Sequence, residues 1–345
     1  MKRITSNLLW QEVFWARPFQ LSDVSELLTH IASLSPRKQI VWEVRGFGGK
    51  VRHFIGTKRR YMKPLKTAFM AHGEIEFTNT EEREDVTAVK QLRISKPMLS
   101  LKTENTVAVL KTALSALSNT KSDECLTLQI IIGESISPSP SPDKSPNPHA
   151  TLLDTIRGNI GTASAESQMS IKKKAVQHGF YSVIRIGAKA ETAKRTNELL
   201  LSIMSAFRQF ETAGVNLAFY NTDSESLNQA KIPWMLPLRL SISELAVFVL
   251  LPCTDMKLDG VDSLHPKLLR PPFWLTDSNE RCFAKSLGAS PKKLSIPVKD
   301  ALSHTVIIGP TGQGKSTVML NLILEDIKAG RGILVIDPKA GATRS

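Results

Sequence analysis

Residues 309–317 read GPTGQGKST. Gly309, four residues, then Gly314, Lys315 and Ser316 is the spacing of a Walker A loop. A phosphate chain has to be wrapped by backbone N–H groups, which requires glycine where a Cβ would collide or where φ must be positive. Gly309, Gly312 and Gly314 supply that freedom, and Pro310, Thr311 and Gln313 complete the loop. Lys315 can set an ammonium between the outer phosphates as a point charge, which makes it the catalytic candidate. Ser316 can give its hydroxyl to Mg²⁺ and is the metal-ligand candidate. A helix starting here aims its free N–H groups and positive dipole end at the anion. The expected ligands are ATP and Mg²⁺, held by Gly309 through Thr317.

The flanks decide whether the pattern is more than a glycine-rich turn. Thr305-Val306-Ile307-Ile308 is an apolar run suited to a buried parallel strand. Val318 to Ile327 has apolar residues at helical spacing, with Met319, Leu322 and Ile323 on one side and Gly330 as a stop. Gly332 to Asp337 reads as a second strand. Strand, loop, helix, strand is the context a nucleotide site needs.

The chain has 345 residues, enough for two or three domains. Its longest apolar run, Leu245 to Cys253, is far short of the ~20 residues of a membrane span. No apolar core follows the basic Met1-Lys2-Arg3, so no secretory signal is read there and a cytoplasmic location is expected. The three widely spaced cysteines, Cys125, Cys253 and Cys282, suit a reducing compartment. A net charge of +13 points to an anionic partner, nucleic acid or an acidic membrane surface. Basic residues concentrate between Lys50 and Lys63 and at Lys172-Lys173-Lys174, and solvated faces explain each cluster equally well. The seven histidines are scattered. His53, His149 and His178 read as surface residues, and no metal-ligand spacing occurs in residues 1–240.

Ser137 to Pro148 holds five prolines in twelve residues and reads as an extended tether or surface loop. Before it, Ser22 can cap a helix with Val24, Leu27, Leu28 and Ile31 as its apolar stripe. Gln39–Arg45 and Val51–Ile55 read as strands about a glycine turn at 46–49. A helix is expected near Pro64–Ala71, a strand at Val89–Ser95, a helix at Asn105–Leu117 and a strand at Leu126–Ile132. After it, Phe180–Gly187 and Val215–Tyr220 read as strands around a long helix at Glu191–Glu211. Such strand–helix–strand units favour a sheet with helices on one face. Ser241-Ile242-Ser243-Glu244 is a capping box opening a helix that Pro252 ends. Ser286–Val298 holds a hairpin or short strand. The expected domains are an α+β domain at 1–135, a linker at 136–150, a second α+β domain at 151–253, a connecting segment at 254–284 and the start of an ATPase domain at 285–345.

Asp300 through Thr317, followed by Ile333 through Lys339, resembles the start of the motor domain of the HerA–FtsK superfamily, which includes the coupling ATPases of conjugation and type IV secretion. The shared features are His304 ahead of the loop, the loop Gly309–Ser316, and Asp337-Pro338-Lys339 after the next strand. The Glu244-Leu245-Ala246 helix also resembles a feature upstream of the motor in some conjugation members. The resemblance is specific over roughly the last 45 residues and diffuse over 1–240. It implies an α/β fold, a RecA-like P-loop NTPase whose first βαβ unit follows α+β domains. It further implies a hexameric ring that pulls DNA through its pore on ATP hydrolysis, within a membrane-associated secretion apparatus. Thr317 would then sit near the α-phosphate, and Asp337 and Lys339 at the strand's carboxyl end.

The pattern departs from the superfamily in two ways. Residues 340–345 read AGATRS where members continue with Gly-Asp and a long domain, and no membrane span precedes the motor. No Walker B strand follows the loop, and two strands and one helix make no stable sheet. The expectation is an N-terminal portion of a DNA translocase, inactive by itself, its motor truncated or split. The alternative is a non-catalytic assembly or DNA-binding module of a transfer apparatus with a vestigial loop. A transporter or kinase-like NTPase would show an LSGGQ-type cap or a lid, and neither appears in the sequence.

Overall fold

The computed structural model describes residues 8–15, 19–34, 39–73, 75–80, 83–140, 145–150, 153, 156–157, 161–253, 260–261, 275, 280–286, 292–310 and 312–336. Two compact units divide the chain, residues 1–264 and 265–345. The fold is mixed α/β, with a large antiparallel sheet and nine helices among the described residues. None of those helices is long and apolar enough to cross a membrane.

In the first unit the elements run β1 (Leu9–Trp15), α1 (Leu21–Leu34), β2 (Ile40–Phe47), β3 (Lys50–Thr57), α2 (Arg59–Ala71), β4 (Ile75–Asn79), β5 (Ala88–Ile94), α3 (Thr106–Ser118) and β6 (Cys125–Ile136). They continue through α4 (Ala165–Ala175), β7 (Gly179–Lys189), α5 (Ala193–Arg208), β8 (Leu217–Thr222), α6 (Ser224–Asn228), β9 (Leu238–Ser241) and α7 (Ile242–Phe248). The strand order is β4-β1-β3-β2-β6-β7-β5-β8, and β9 also pairs β7. β6 pairs β7 directly, so the proline-rich stretch 136–150 opens a connection, continued through α4, between two neighbouring strands of one sheet. On its other edge β7 pairs β9 through Gly179–Ser182 and β5 through Arg185–Ala188.

The helices α1, α2, α3, α5 and α7 line one face, as the strand–helix–strand pattern implies, while the short α6 lies on the other. Trp42 and Val44 of β2, Leu128 and Ile130 of β6, and Ile184 and Ile186 of β7 meet Leu28 of α1, Phe69 of α2, Leu114 of α3, Phe207 of α5 and Phe248 of α7 in one core. Several local expectations need correction. α1 starts at Leu21, so Ser22 lies inside it. Asp23 accepts from the Gln20 N–H at the helix start instead. α7 ends at Phe248, ahead of Pro252, and its capping box between Ser241 and Glu244 is formed. β1, β4, α4 and β9 had no sequence forecast.

The opposite face carries a buried polar hub. Glu43 accepts from Arg45 Nε (2.8 Å), Arg83 Nη2 (2.5 Å) and Gln129 Nε2 (2.7 Å). Gln129 in turn accepts from Arg185, which also donates to the Ser226 carbonyl (2.7 Å). Arg83 donates to the Asn228 carbonyl, so the hub also ties down the carboxyl end of α6. Burial alone would raise the Glu43 pKa, but the Arg45 and Arg83 guanidiniums hold the carboxyl down at about 2.

Two basic or titratable groups are not where the surface reading puts them. His53 is buried, with Nε2 bonded to the Leu250 carbonyl at 3.1 Å and the Trp15 ring edge-on at 4.6 Å. Burial depresses its pKa to about 4, despite the opposing pull of the Leu250 carbonyl. Lys174 is also buried, because it reaches the Glu244 carboxylate (2.9 Å) and the Leu99 carbonyl (3.2 Å), while Lys172 and Lys173 stay exposed. The cluster from Lys50 to Lys63 is split by the length of β3, and Arg52 within it is paired with Glu12.

The second unit contains the hairpin β10 (Cys282–Lys285) and β11 (Lys293–Ser295), then α8 (Val298–Ala301) and α9 (Lys315–Lys328). α9 packs on β10, and Leu322 is its buried residue. Asp326 on α9 is gripped by Arg281 (3.0 Å) and Arg331 (2.9 Å). The helix expected between the two apolar runs is present, but the runs themselves join no ladder. Residues 304–310 and 331–336 are not strands. Ile308 is 90% exposed and Leu334 86% exposed.

Two measurements check this frame. Glu43→Gln leaves the buried Arg45 and the partly buried Arg83 short of their counter-charge and should lower stability by roughly 3–5 kcal/mol in urea unfolding at pH 7. His53 is neutral in the folded state down to about pH 4, whereas the unfolded chain takes up the proton from 6.5. Stability should therefore fall as pH drops through that window, by up to roughly 3 kcal/mol. His53→Gln should flatten that part of the profile.

Candidate nucleotide-phosphate site

The loop sits at the start of α9. Gly312 (φ 83°) and Gly314 (φ 80°) both take left-handed backbone, and an added Cβ at either would meet nothing within 4 Å. Glycine is needed there for conformation and not for close packing. Gly314 is the N-cap of α9, no side chain caps it, and the Val318 N–H already closes on the Gly314 carbonyl at 3.0 Å. The first-turn N–H groups of a helix have no partner within the helix and carry its positive dipole end.

Lys315 is the first residue of α9 and folds back over the loop. Its Nζ donates to the Gly309 carbonyl (2.6 Å) and the Pro310 carbonyl (2.7 Å). These bonds hold the two ends of the loop together and keep the ammonium at its mouth. Ser316 and Thr317 are exposed on the first turn, and Gln313 is exposed beside them. His304, in left-handed backbone at φ 73°, marks strain in the segment leading to Gly309.

The structure thus brings Gly309, Pro310, Gly312, Gln313, Gly314, Lys315, Ser316 and Thr317 into one loop and helix start. Thr311, Asp337, Pro338 and Lys339 lie outside the described residues. The residues present fit a phosphate chain with its magnesium ion. Two glycines take left-handed backbone, an uncapped helix start offers N–H groups, an ammonium rests on two carbonyls, and a hydroxyl stands one residue on. Among the described residues no group of three or more His, Cys, Asp or Glu could hold a metal by itself. A cation here would therefore lean on the nucleotide's own oxygens and on Ser316.

Compared with known proteins, the sequence matches no family model and no curated protein. Sequence reasoning missed the ion pairs that seat α9. Arg281 and Arg331 converge on Asp326, and Arg331 also reaches Glu280 at 3.1 Å. Arg281 and Asp326 are distant in sequence, so no fixed spacing announces the pair.

Replacing Lys315 removes the side chain that bonds both Gly309 and Pro310 and the one lysine of residues 309–317. Lys315→Ala should weaken Mg²⁺–ATP uptake at least about tenfold. Ser316→Ala should blunt the gain in affinity that Mg²⁺ gives. Titration of a fluorescent ATP analogue, with and without Mg²⁺, reads both.

Proposed function

We propose that residues 309–317 bind Mg²⁺–ATP and that the chain is the N-terminal part of a DNA-translocating ATPase of the HerA–FtsK kind, acting in conjugative DNA transfer or type IV secretion. The observation that carries the reading is the loop itself, with paired left-handed glycines closed by Lys315 at an open helix start. Lys315 would exchange its bonds to the Gly309 and Pro310 carbonyls for the outer phosphates. Ser316 would orient the magnesium ion, and the α9 amides would take the remaining phosphate charge. Phosphoryl transfer is then a matter of positioning and charge stabilisation.

Among the described residues, the side-chain bonds of the loop are those of Lys315 to the Gly309 and Pro310 carbonyls, and none involves a carboxylate that could hold Mg²⁺ or orient water. The role proposed for these residues is therefore binding, and turnover belongs to the complete RecA-like motor in a hexameric ring. The net charge of +13 suits DNA as the moving partner, with Lys58, Arg59, Arg60 and Lys63 exposed at the start of α2. The reading places the chain in the cytoplasm, peripheral to the inner membrane and its secretion apparatus.

A second reading is favoured by one observation, the exposed apolar segments 305–308 and 332–336 that flank the loop outside any ladder. In it, the chain is a non-catalytic assembly or DNA-binding module whose loop is vestigial. The two readings separate in one experiment. The 345-residue chain should take up Mg²⁺–ATP saturably and show no DNA-stimulated phosphate release. Failure of saturable uptake would favour the vestigial loop, and DNA-stimulated release would refute the inactivity of the chain as it stands.

A further inference from the structure

A second site lies on the sheet face opposite the helices, in the first unit. The sequence there is Ile232-Pro233-Trp234-Met235-Leu236-Pro237, leading into β9. Both ends of this loop are fixed. Ile232 and Leu236 pack on a small core of Val41, Ile131, Val183 and Ala230. Leu236 is seated so closely on β6 that a Cβ at Gly133 would lie 1.9 Å from its Cδ1. The two prolines restrict the backbone between and after these anchors. The apex is left outside, and Trp234 is 96% exposed.

A tryptophan held out of the core by a pinned loop differs from one at the end of a floppy tail. Beside it lie Met235 and Tyr181, both also exposed. Together with Gln39 and Glu134 they border a cavity of about 510 Å³. Trp, Tyr and Met are the residue types enriched at the centres of protein–protein contacts.

The charges choose among occupants. Among the described residues, Glu134 is the charged residue of the lining, and no lysine or arginine contributes to it. A nucleic-acid strand stacked on Trp234 would set its phosphates against that carboxylate. A guanidinium gains from every feature present. Its plane stacks on an indole or phenol face, and its fork of N–H donors fits a carboxylate.

We propose that the groove bordered by Trp234, Tyr181 and Glu134 docks an arginine-bearing segment of a partner polypeptide. This rests on none of the nucleotide-loop residues, so either proposal can fail alone. The test is intrinsic tryptophan fluorescence of the full chain at low salt, taken as the difference from Trp234→Phe, during titration with a blocked Arg-Gly repeat peptide. Oligothymidylate and phosphatidylcholine vesicles serve as comparison probes. The peptide should give a saturable change that weakens roughly tenfold in Glu134→Gln, and calorimetric titration, which needs no tryptophan signal, should show a comparable loss in Trp234→Ala. Thermal melts should match the parent for both variants, because Glu134 and Trp234 are exposed. Absence of a saturable peptide response would overturn the proposal. So would equal affinity in Glu134→Gln, or a Trp234-dependent response to oligothymidylate or vesicles in place of the peptide.

Discussion

An extended backbone removed from water must find hydrogen-bond partners for its N–H and C=O groups, and the two units meet that demand in different ways. Residues 1–264 meet it with a broad antiparallel ladder, in which β2 and β6 pair over eight residues and β6 and β7 over ten, with a shift of register between Ile132 and Ser135. Residues 265–345 carry two apolar runs of strand-like composition with no ladder at all. Buried parallel strands need neighbours on both edges and helices on both faces. Among the described residues, α8, α9 and a two-stranded hairpin supply neither, so the runs remain exposed. The features of the nucleotide loop that survive are those that need no sheet, namely glycine backbone, helix start and lysine.

Those local features have a clear physical division of labour. Left-handed glycines set the curvature, and the helix start provides oriented N–H groups. Lys315 satisfies its ammonium on the carbonyls of Gly309 and Pro310, and so keeps the loop closed around the place where phosphate charge would sit. Asp326 contributes indirectly by fixing α9 through Arg281 and Arg331, which holds the helix start steady behind the loop.

Much of this was legible in the sequence, and the misses share a cause. The β2–β3 hairpin, β6, β7 and α5 follow from alternation, apolar runs and helical spacing, all of which are local signals. The capping box of α7 was readable because its two partners are three residues apart. By contrast, Glu43 finds Arg83 40 residues away and Gln129 86 residues away, so nothing near Glu43 marks it as buried. Lys174 reads as one of three solvated lysines until Glu244, 70 residues on, takes it inside. His53 is drawn in by the carbonyl of Leu250 and the ring of Trp15, again over long separations. The proline-rich stretch reads as a boundary because composition reports local stiffness. Whether β6 and β7 on either side pair is a tertiary matter. At the candidate site the pattern is contiguous in sequence, and the left-handed backbone of Gly312 and Gly314 is what a glycine loop of this spacing calls for. The unpaired state of its flanks was not legible, since apolar runs look alike with or without neighbours.

The loop at the start of α9 is held by local backbone geometry, with its flanks 305–308 and 332–336 outside any ladder. Hydrogen–deuterium exchange of the free chain, resolved by peptide, reads this state. Exchange should be rapid at 305–308 and 332–336 beside strong protection in β2, β6 and β7, with Mg²⁺–ATP slowing exchange across 312–318. Protection of 305–308 and 332–336 at the level of β6 in the free chain would rule it out.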